Sequence, residues 1–237
     1  MLNVKNGVIK MDEKIFKEWI GSYPKAMQRG FHRDGIINVD VFSREKTKIL
    51  FILKEPNSKK GKYDKYFGYD LREVFGKMGL KKRLDYNIAR WTKILCDGVD
   101  VGQSFPWDDV AQTKQRVAII NLKKMAGSGS ENREELCLYS YKDKDFIKRQ
   151  ISGINPDVIV ACGADGIVSR MVWRIINDNI LFSNDNEAEY SVRLKGKSVP
   201  VFVSYHPSLR LKKQEEDAAA AIVAISKRLR QSARCCT

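Results

Sequence analysis

The sequence lacks the cysteine and histidine patterns that bind metals or cross-link secreted proteins. Its five cysteines stand at positions 96, 137, 162, 235 and 236 with no Cys-x-x-Cys pair, and there are only two histidines in 237 residues. This scatter argues against a zinc or iron–sulfur site and against a disulfide framework. We therefore expect no metal or other cofactor, and a reducing cytoplasm as the setting.

Long apolar segments are also absent. Residues 1–6 contain no apolar core of the kind that defines a signal peptide. The longest apolar run, 218–225, is far shorter than the ~20 residues that a membrane-spanning helix needs. The sequence thus predicts no membrane partner.

Acidic residues are scarce relative to basic ones. The chain has 29 Asp and Glu against 43 Lys and Arg, which gives a net charge of +14 and a pI near 9.5. An excess of this size favours a polyanionic partner, and nucleic acid is the first candidate. A generally basic, soluble surface is the alternative interpretation.

Short β-branched runs alternate with amphipathic segments along the chain. The runs predict four core strands, at 47–54, 117–122, 158–162 and 199–205. The remaining pattern predicts helices over 12–30 (broken near Gly21 and Pro24), 71–77, 83–95, 106–116, 146–154, 165–177 and 214–232, weaker strand material over 180–195, and a surface loop over 123–143. This order predicts an α/β fold, a three-layer α/β/α sandwich with a mostly parallel central sheet of about four core strands.

Polar side chains follow the predicted strands at the points where they end. The first strand ends at Glu55-Pro56, the second at Asn121, the third at Gly163 and the fourth at His206-Pro207-Ser208. Proline cannot donate to a sheet ladder, so the fourth strand must stop there and present His206 at its end. Because parallel strands finish at one edge of the sheet, these groups are expected to converge.

At these residues the chain resembles the uracil-DNA glycosylase superfamily. Members carry a strand that ends in a carboxylate or amide before proline, a second that ends in Asn, and a late strand that ends in His-Pro-Ser. The resemblance covers about residues 47–210 and implies a metal-independent, monofunctional DNA glycosylase that flips out a pyrimidine and leaves an abasic site. The partner implied is DNA, with strand preference left open.

The chemistry of glycosidic-bond cleavage suggests a role for each residue. Glu55 would stabilise the oxocarbenium-like sugar and position water, and His206 would stabilise the negative charge that develops on the departing base. Asn121 carries donors and an acceptor, so it would bind the hydrogen-bonding edge of a pyrimidine. Sequence alone leaves the protonation state of His206 open.

Further residues are expected to hold the base and the DNA. Phe67 stands at a spacing similar to that of the superfamily's stacking phenylalanine, with Tyr66 or core packing as alternatives. Leu209 resembles the apolar wedge that fills the gap left by a flipped nucleotide. The DNA-binding residues that we expect are Ser58, Lys123, Ser208, Leu209 and Arg210, of which Arg210 is the alternative wedge.

Asn57 departs from the uracil-specific branch, in which a tyrosine after the proline crowds C5 of the base. Asn57 is smaller and polar. We hypothesise that the pocket accepts uracil or a 5-substituted pyrimidine, a specificity suited to repair or to antiviral defence against modified DNA. Glu55 also departs from the aspartate of that branch by one methylene.

The domain organisation that we predict is a single domain over 1–237. Residues 1–45 form an N-terminal helical extension, 46–210 the catalytic core, and 211–237 a C-terminal helix and tail. A monomer is expected.

Two other classes of function remain open. A non-catalytic nucleic-acid-binding protein on the same scaffold would keep the basic edge without needing a carboxylate. A nucleotide-utilising enzyme is suggested by Gly127-Ser128-Gly129-Ser130, although this segment lacks the Lys-Ser/Thr ending of a P-loop.

Overall fold

A computed structural model describes residues 13–56, 68–76, 82–100, 105–127, 132–163, 166–177, 189–208 and 220–227. Within these ranges no helix is both long enough and apolar enough to cross a membrane.

Six strands of the described chain form one mixed sheet. They are β1 (Gly35–Ile36), β2 (Ile49–Leu53), β3 (Ala118–Asn121), β4 (Val158–Cys162), β5 (Glu189–Leu194) and β6 (Lys197–Ser204), in the spatial order β1-β3-β2-β4-β6-β5. Strands β3, β2, β4 and β6 pair in parallel, and β1 and β5 run antiparallel at the two edges. The predicted α/β class is confirmed.

Helices precede, connect and follow the strands. They are α1 (13–21), α2 (Lys25–Gln28), α3 (Val39–Arg44), α4 (Leu71–Gly76), α5 (Lys82–Asp97), α6 (Asp109–Lys114), α7 (Arg133–Lys142), α8 (Lys144–Ile154), α9 (Ile167–Asn177) and α10 (220–227).

The alternation of side chains along each strand builds a core on both faces of the sheet. Leu50, Ile52 and Ile159 pack with α1, α7, α8 and α9 on one face. Phe51 and Val160 pack with α5 and α10 on the other face. Strands that are buried on both faces need continuous apolar runs, which is why these strands were visible in the sequence.

Residues 13–36 contribute to the core, although we predicted a helical extension over 1–45. Phe16 and Trp19 on α1 are completely buried, and Trp19 stacks on Phe146 of α8 with ring centroids 5.3 Å apart. Strand β1 from the same segment joins the sheet beside β3. It was missed because two residues are too few to show a strand period.

The predicted surface loop over 123–143 was wrong for its second half, where α7 forms. Its N-cap is Asn132, whose side-chain oxygen accepts a hydrogen bond from the Glu135 amide at 3.0 Å. Glu134 and Glu135 in the first turn also favour a helix start. The helix was missed because it buries only Leu136 and Ser140. A helix that buries so few residues does not need a regular spacing of apolar residues in its sequence.

Candidate functional site

The strand ends singled out in the sequence lie along one edge of the sheet, which we call the carboxyl edge. Ile52 pairs with Ala161, and Cys162 pairs with Ser204, so β2, β4 and β6 end at about the same level. Glu55 lies two residues beyond the end of β2, and His206 two residues beyond the end of β6. With β4 between them, their backbones are two strand spacings apart, about 9.5 Å.

Glu55 belongs to an ion-pair cluster at the carboxyl edge. The Lys123 ammonium lies 2.9 Å from Glu55 Oε2 and 2.9 Å from Glu135 Oε1 on α7. The Lys123 side chain is only 1% exposed, whereas that of Glu55 is 17% exposed. The carboxylate thus reaches solvent at an edge where its cationic partner is buried.

Lys123 is placed differently from the DNA-binding role that we expected. Burial by itself lowers the pKa of its ammonium, but hydrogen bonds to Glu135 and Glu55 outweigh that effect and raise the pKa overall. Its ammonium also lies 5.1 Å from the centre of the Tyr139 ring. Lys123 therefore binds the candidate catalytic carboxylate within the protein and does not present its charge to solvent.

Gly127 closes the other side of the Glu55 carboxylate. Its amide donates to the Pro56 carbonyl at 2.8 Å, which brings the segment after β3 alongside the residues after β2. A Cβ placed on Gly127 would overlap the Glu55 carboxyl group. Gly127 is the first residue of the Gly127-Ser128-Gly129-Ser130 segment, and it fits against a carboxylate. Residues 128–130 lie outside the described residues.

The turn after β6 orients the His206 imidazole through Ser208. The Ser208 amide donates to His206 Nδ1 at 3.2 Å, and Ser208 Oγ lies 2.7 Å from the same nitrogen. Because a backbone N–H can only donate, Nδ1 must be an acceptor, and the ring proton of a neutral imidazole is then on Nε2. Ser208, which we predicted to bind DNA, contacts this nitrogen with both its amide and its hydroxyl and so favours this tautomer.

Helix α5 fixes the position of the same turn. Asn87 is buried, and its Nδ2 donates to the Pro207 carbonyl at 2.8 Å. Sequence reasoning missed this residue because the two partners are 120 positions apart. The only sign in the sequence was that Asn87 places a side-chain amide on the side of the predicted helix 83–95 that is otherwise apolar.

Asn121 ends β3 and is tied to Asp34, a residue that sequence reasoning also missed. The backbone N–H of Asn121 donates to Asp34 Oδ2 at 2.7 Å. The side-chain Nδ2 of Asn121 donates to the same oxygen at 3.2 Å. Asn121 is 2% exposed and Asp34 is completely buried. The side-chain contact uses one of the two N–H donors of Asn121 and leaves the other N–H and Oδ1.

Two further groups hold the Asp34 carboxylate in place. Lys124 Nζ lies 2.6 Å from Asp34 Oδ1 and also donates to the Asn121 carbonyl at 2.7 Å. Gln150 of α8 donates to the same carboxylate oxygen at 3.0 Å. The Asp34 cluster, which comprises Asp34, Asn121, Lys124 and Gln150, makes the end of β3 a rigid part of the carboxyl edge.

Several predicted site residues lie outside the part of the chain that the structure describes. They are Asn57, Ser58, Tyr66, Phe67, Leu209 and Arg210. Of the predicted set, the structure therefore brings Glu55, Lys123, Asn121, His206 and Ser208 to the carboxyl edge.

A cavity of about 570 Å³ lies away from this edge, near the end of β1. Its charged lining includes Glu13, Asp70 and Arg72, which pair with one another. Because β1 runs antiparallel to β3, this cavity lies toward the opposite edge of the sheet. The arginine of this cavity is already paired with two acidic side chains, and the carboxyl edge, where the predicted residues converge, is the stronger candidate site.

Comparison with known proteins finds no matching family model and no matching curated protein.

Proposed function

We propose that this protein is a monofunctional, metal-independent DNA glycosylase that flips a pyrimidine nucleotide and hydrolyses its N-glycosidic bond. The observation that carries the proposal is the placement of Glu55 and His206 at one level of the carboxyl edge, two strands apart. Backbones about 9.5 Å apart place the two residues on nearby strand ends of the same edge, where one nucleoside could contact both side chains. We further propose that the parallel core strands correspond to a uracil-DNA glycosylase-like α/β/α sandwich.

Glu55 is assigned the sugar side of the reaction. As the bond to the base lengthens, positive charge develops on the sugar, and a nearby carboxylate stabilises it while orienting the attacking water. Lys123 fixes one carboxylate oxygen, Oε2, at 2.9 Å. The Gly127 backbone packs against the carboxylate on the Oε1 side, so water or the sugar would meet the part of the Glu55 side chain that stays exposed, 17% of it.

His206 is assigned the base side. With Nδ1 accepting from Ser208, the Nε2–H donates to the base carbonyl as negative charge develops there. A neutral donor held in place by its own turn needs no reorganisation during the reaction. Asn121 is 2% exposed, so its remaining amide proton and Oδ1 would meet the edge of the same base only at the small part of the side chain that reaches the carboxyl edge.

The experiment that tests this proposal measures excision on matched oligonucleotides that contain uracil, a 5-hydroxymethylpyrimidine or a glycosylated base. Abasic sites are scored by alkali-induced strand scission. Glu55→Gln is expected to lower the excision rate by about 10²–10⁴-fold, the usual range for a positioned acid or base. Glu135→Gln is the matched control, because Glu135 binds the same ammonium but lies 44% exposed on α7. A Glu55→Gln variant as active as the wild type would refute the assignment.

The identity of the base is proposed from Asn57. If a small residue there admits substituents at C5, Asn57→Tyr is expected to abolish excision of 5-substituted pyrimidines while sparing uracil. Loss of both activities in equal measure would contradict this specificity.

A non-catalytic nucleic-acid-binding protein is the second candidate, and one observation favours it. The Glu55–Lys123 pair enclosed by Gly127 has the form of a structural ion pair as well as that of a catalytic group. Under this alternative, no substrate in the panel is cleaved and Glu55→Gln leaves DNA affinity unchanged.

A further inference from the structure

A group of three aromatic side chains, of which one is exposed, lies on α5 and on the segment just before α6. Trp107 is 52% exposed and packs on Tyr86 with ring centroids 4.8 Å apart. Tyr86 in turn meets Phe105 edge-to-face at 5.7 Å. We call Tyr86, Phe105 and Trp107 the aromatic shelf. The other three tryptophans of the chain, at 19, 91 and 173, are buried or half-buried, so Trp107 is exceptional.

The aromatic shelf lies at the carboxyl edge of the sheet. Helix α5 runs opposite to the parallel strands, because its late residue Cys96 contacts the Thr47 carbonyl just before β2 begins. Its early residue Asn87 instead binds the Pro207 carbonyl in the His206 turn. Tyr86 immediately precedes Asn87, so the shelf lies on the same early part of α5, at the level of the carboxyl edge.

Cationic side chains flank the shelf. Arg83 and Arg90 lie one turn before and one turn after Tyr86 on α5. Within a chain of net charge +14, an exposed indole beside two guanidinium groups is suited to an anionic, aromatic partner. Surfaces that combine cations with exposed aromatic rings bind single-stranded nucleic acid by stacking on unpaired bases.

We propose that the aromatic shelf stacks an unpaired base adjacent to the flipped nucleotide, so that the protein prefers single-stranded DNA. This inference rests on the proposed glycosylase function for its placement beside the flipped base. In a duplex the flanking bases stack on their neighbours and are paired, which leaves no base face for Trp107. In a single strand the same faces are accessible, and stacking on an indole depends little on base identity.

The experiment measures the affinity of the full chain for single-stranded oligodeoxyadenylate, which contains no pyrimidine to excise. A labelled oligonucleotide reports binding by fluorescence anisotropy, and tryptophan emission reports contact with Trp107. Trp107→Ala is expected to weaken Kd by about 5- to 150-fold, the range for loss of one base–aromatic stack. Trp107→Phe keeps a stacking ring, so it should bind nearly as tightly while losing the emission change.

Tyr141→Ala is the matched control, because Tyr141 is a 64% exposed aromatic residue on α7 that is not part of the shelf. It should leave the affinity for the oligonucleotide unchanged. Wild-type affinity in Trp107→Ala would overturn the proposal, and so would an equal loss of affinity for the matching duplex.

The two proposals fail separately. If no base is excised but Trp107→Ala still weakens single-strand binding, the glycosylase assignment is wrong and the stacking surface stands. If excision proceeds and Trp107→Ala binds normally, the shelf is wrong and the glycosylase assignment stands.

Discussion

At the scale of single residues, the carboxylate of Glu55 is held from two sides. Lys123 binds Oε2 from the interior, and the backbone at Gly127 lies against the rest of the carboxyl group. Of these two residues, Lys123 was expected to bind DNA, and its burial beside Glu55 does not fit that role. A carboxylate can position a water molecule or a sugar only if the carboxylate is itself held in place.

Gly127→Ala is expected to impair the candidate site with little loss of stability. The added methyl group would displace the Glu55 carboxylate, which lies at the end of its side chain and can move aside, while Glu135 still pairs with the Lys123 ammonium. The displaced carboxylate no longer faces the substrate, so excision should fall by about 10-fold or more, since misplacement of about 1 Å can cost 10²-fold. Excision rates and urea unfolding measured on the same variant check this prediction.

The control for that variant is Gly21→Ala, because a Cβ at Gly21 meets nothing within 4 Å. It should leave excision unchanged. If Gly127→Ala were fully active, the close fit between Gly127 and Glu55 would have no bearing on function.

His32 makes stability depend on pH. Burial lowers the pKa of its imidazole, and the nearby charge of Asp34 offsets this only in part. Below the ordinary value of 6.5 the unfolded chain binds a proton that the folded chain does not, so this contribution to stability is present above that pH and lost as pH falls. The loss amounts to at most about 1.4 kcal/mol per pH unit.

Urea unfolding as a function of pH measures this effect. Between pH of about 7.5 and about 5.5, His32→Gln is expected to lose less stability than the wild type, because glutamine does not titrate. Parallel pH profiles for the two proteins would show that His32 is not responsible.

At the scale of elements, the contacts of the strand ends decide the geometry of the site. The Asp34 cluster links β1, β3 and α8, and Asn87 links α5 to the turn after β6. These connections hold the groups proposed to bind sugar and base on separate elements at fixed positions. A site built on rigid elements is more precisely positioned than one on loops alone.

Asp34→Asn is expected to destabilise the fold by about 3–5 kcal/mol, the usual cost of breaking a buried ion pair. The variant keeps the shape of the side chain but leaves the Lys124 ammonium buried without its counter-charge, since both side chains are 0% exposed. The free energy of unfolding in urea measures the loss.

Glu18→Gln provides the comparison for that variant. It removes the exposed Glu18–Arg149 pair, whose side chains are 41% and 45% exposed. Such pairs contribute about 0–1 kcal/mol. Equal effects of the two substitutions would mean that burial does not strengthen the Asp34 cluster.

At the scale of the whole molecule, the excess of positive charge remains after internal pairing is considered. Lys114, Lys123 and Lys124 are fully buried, and each lies beside a carboxylate. These lysines are therefore balanced within the protein. The net charge of +14 accordingly resides on other parts of the chain.

Affinity for DNA should consequently fall steeply with salt. Each phosphate neutralised adds about 0.7 to the slope of log affinity against log salt for single strands, and about 0.9 for duplex DNA. Three such contacts to a single strand predict about a 20-fold loss between about 50 and 200 mM salt. Anisotropy titrations across this range check the prediction, and affinity independent of salt would remove the electrostatic argument for a nucleic-acid partner.

The core strands could be predicted from the sequence because each one has a recognisable pattern of neighbouring residues. The runs that became β2, β3, β4 and β6 are continuous and apolar, and Pro207 marks where the last of them must end. Strand β1 and helix α7 could not be predicted in the same way. The first is two residues long, and the second has few buried apolar residues.

The sequence by itself thus determined the α/β class and which residues follow the core strands, since both depend on the order of local patterns. Only the tertiary structure decided the partners of those residues. Lys123 meets Glu55 across 68 positions, Asp34 meets Asn121 across 87, and Asn87 meets Pro207 across 120. Contacts between residues so far apart arise when the strands assemble and chain segments pack on the sheet, and no local pattern of apolar and polar residues encodes them.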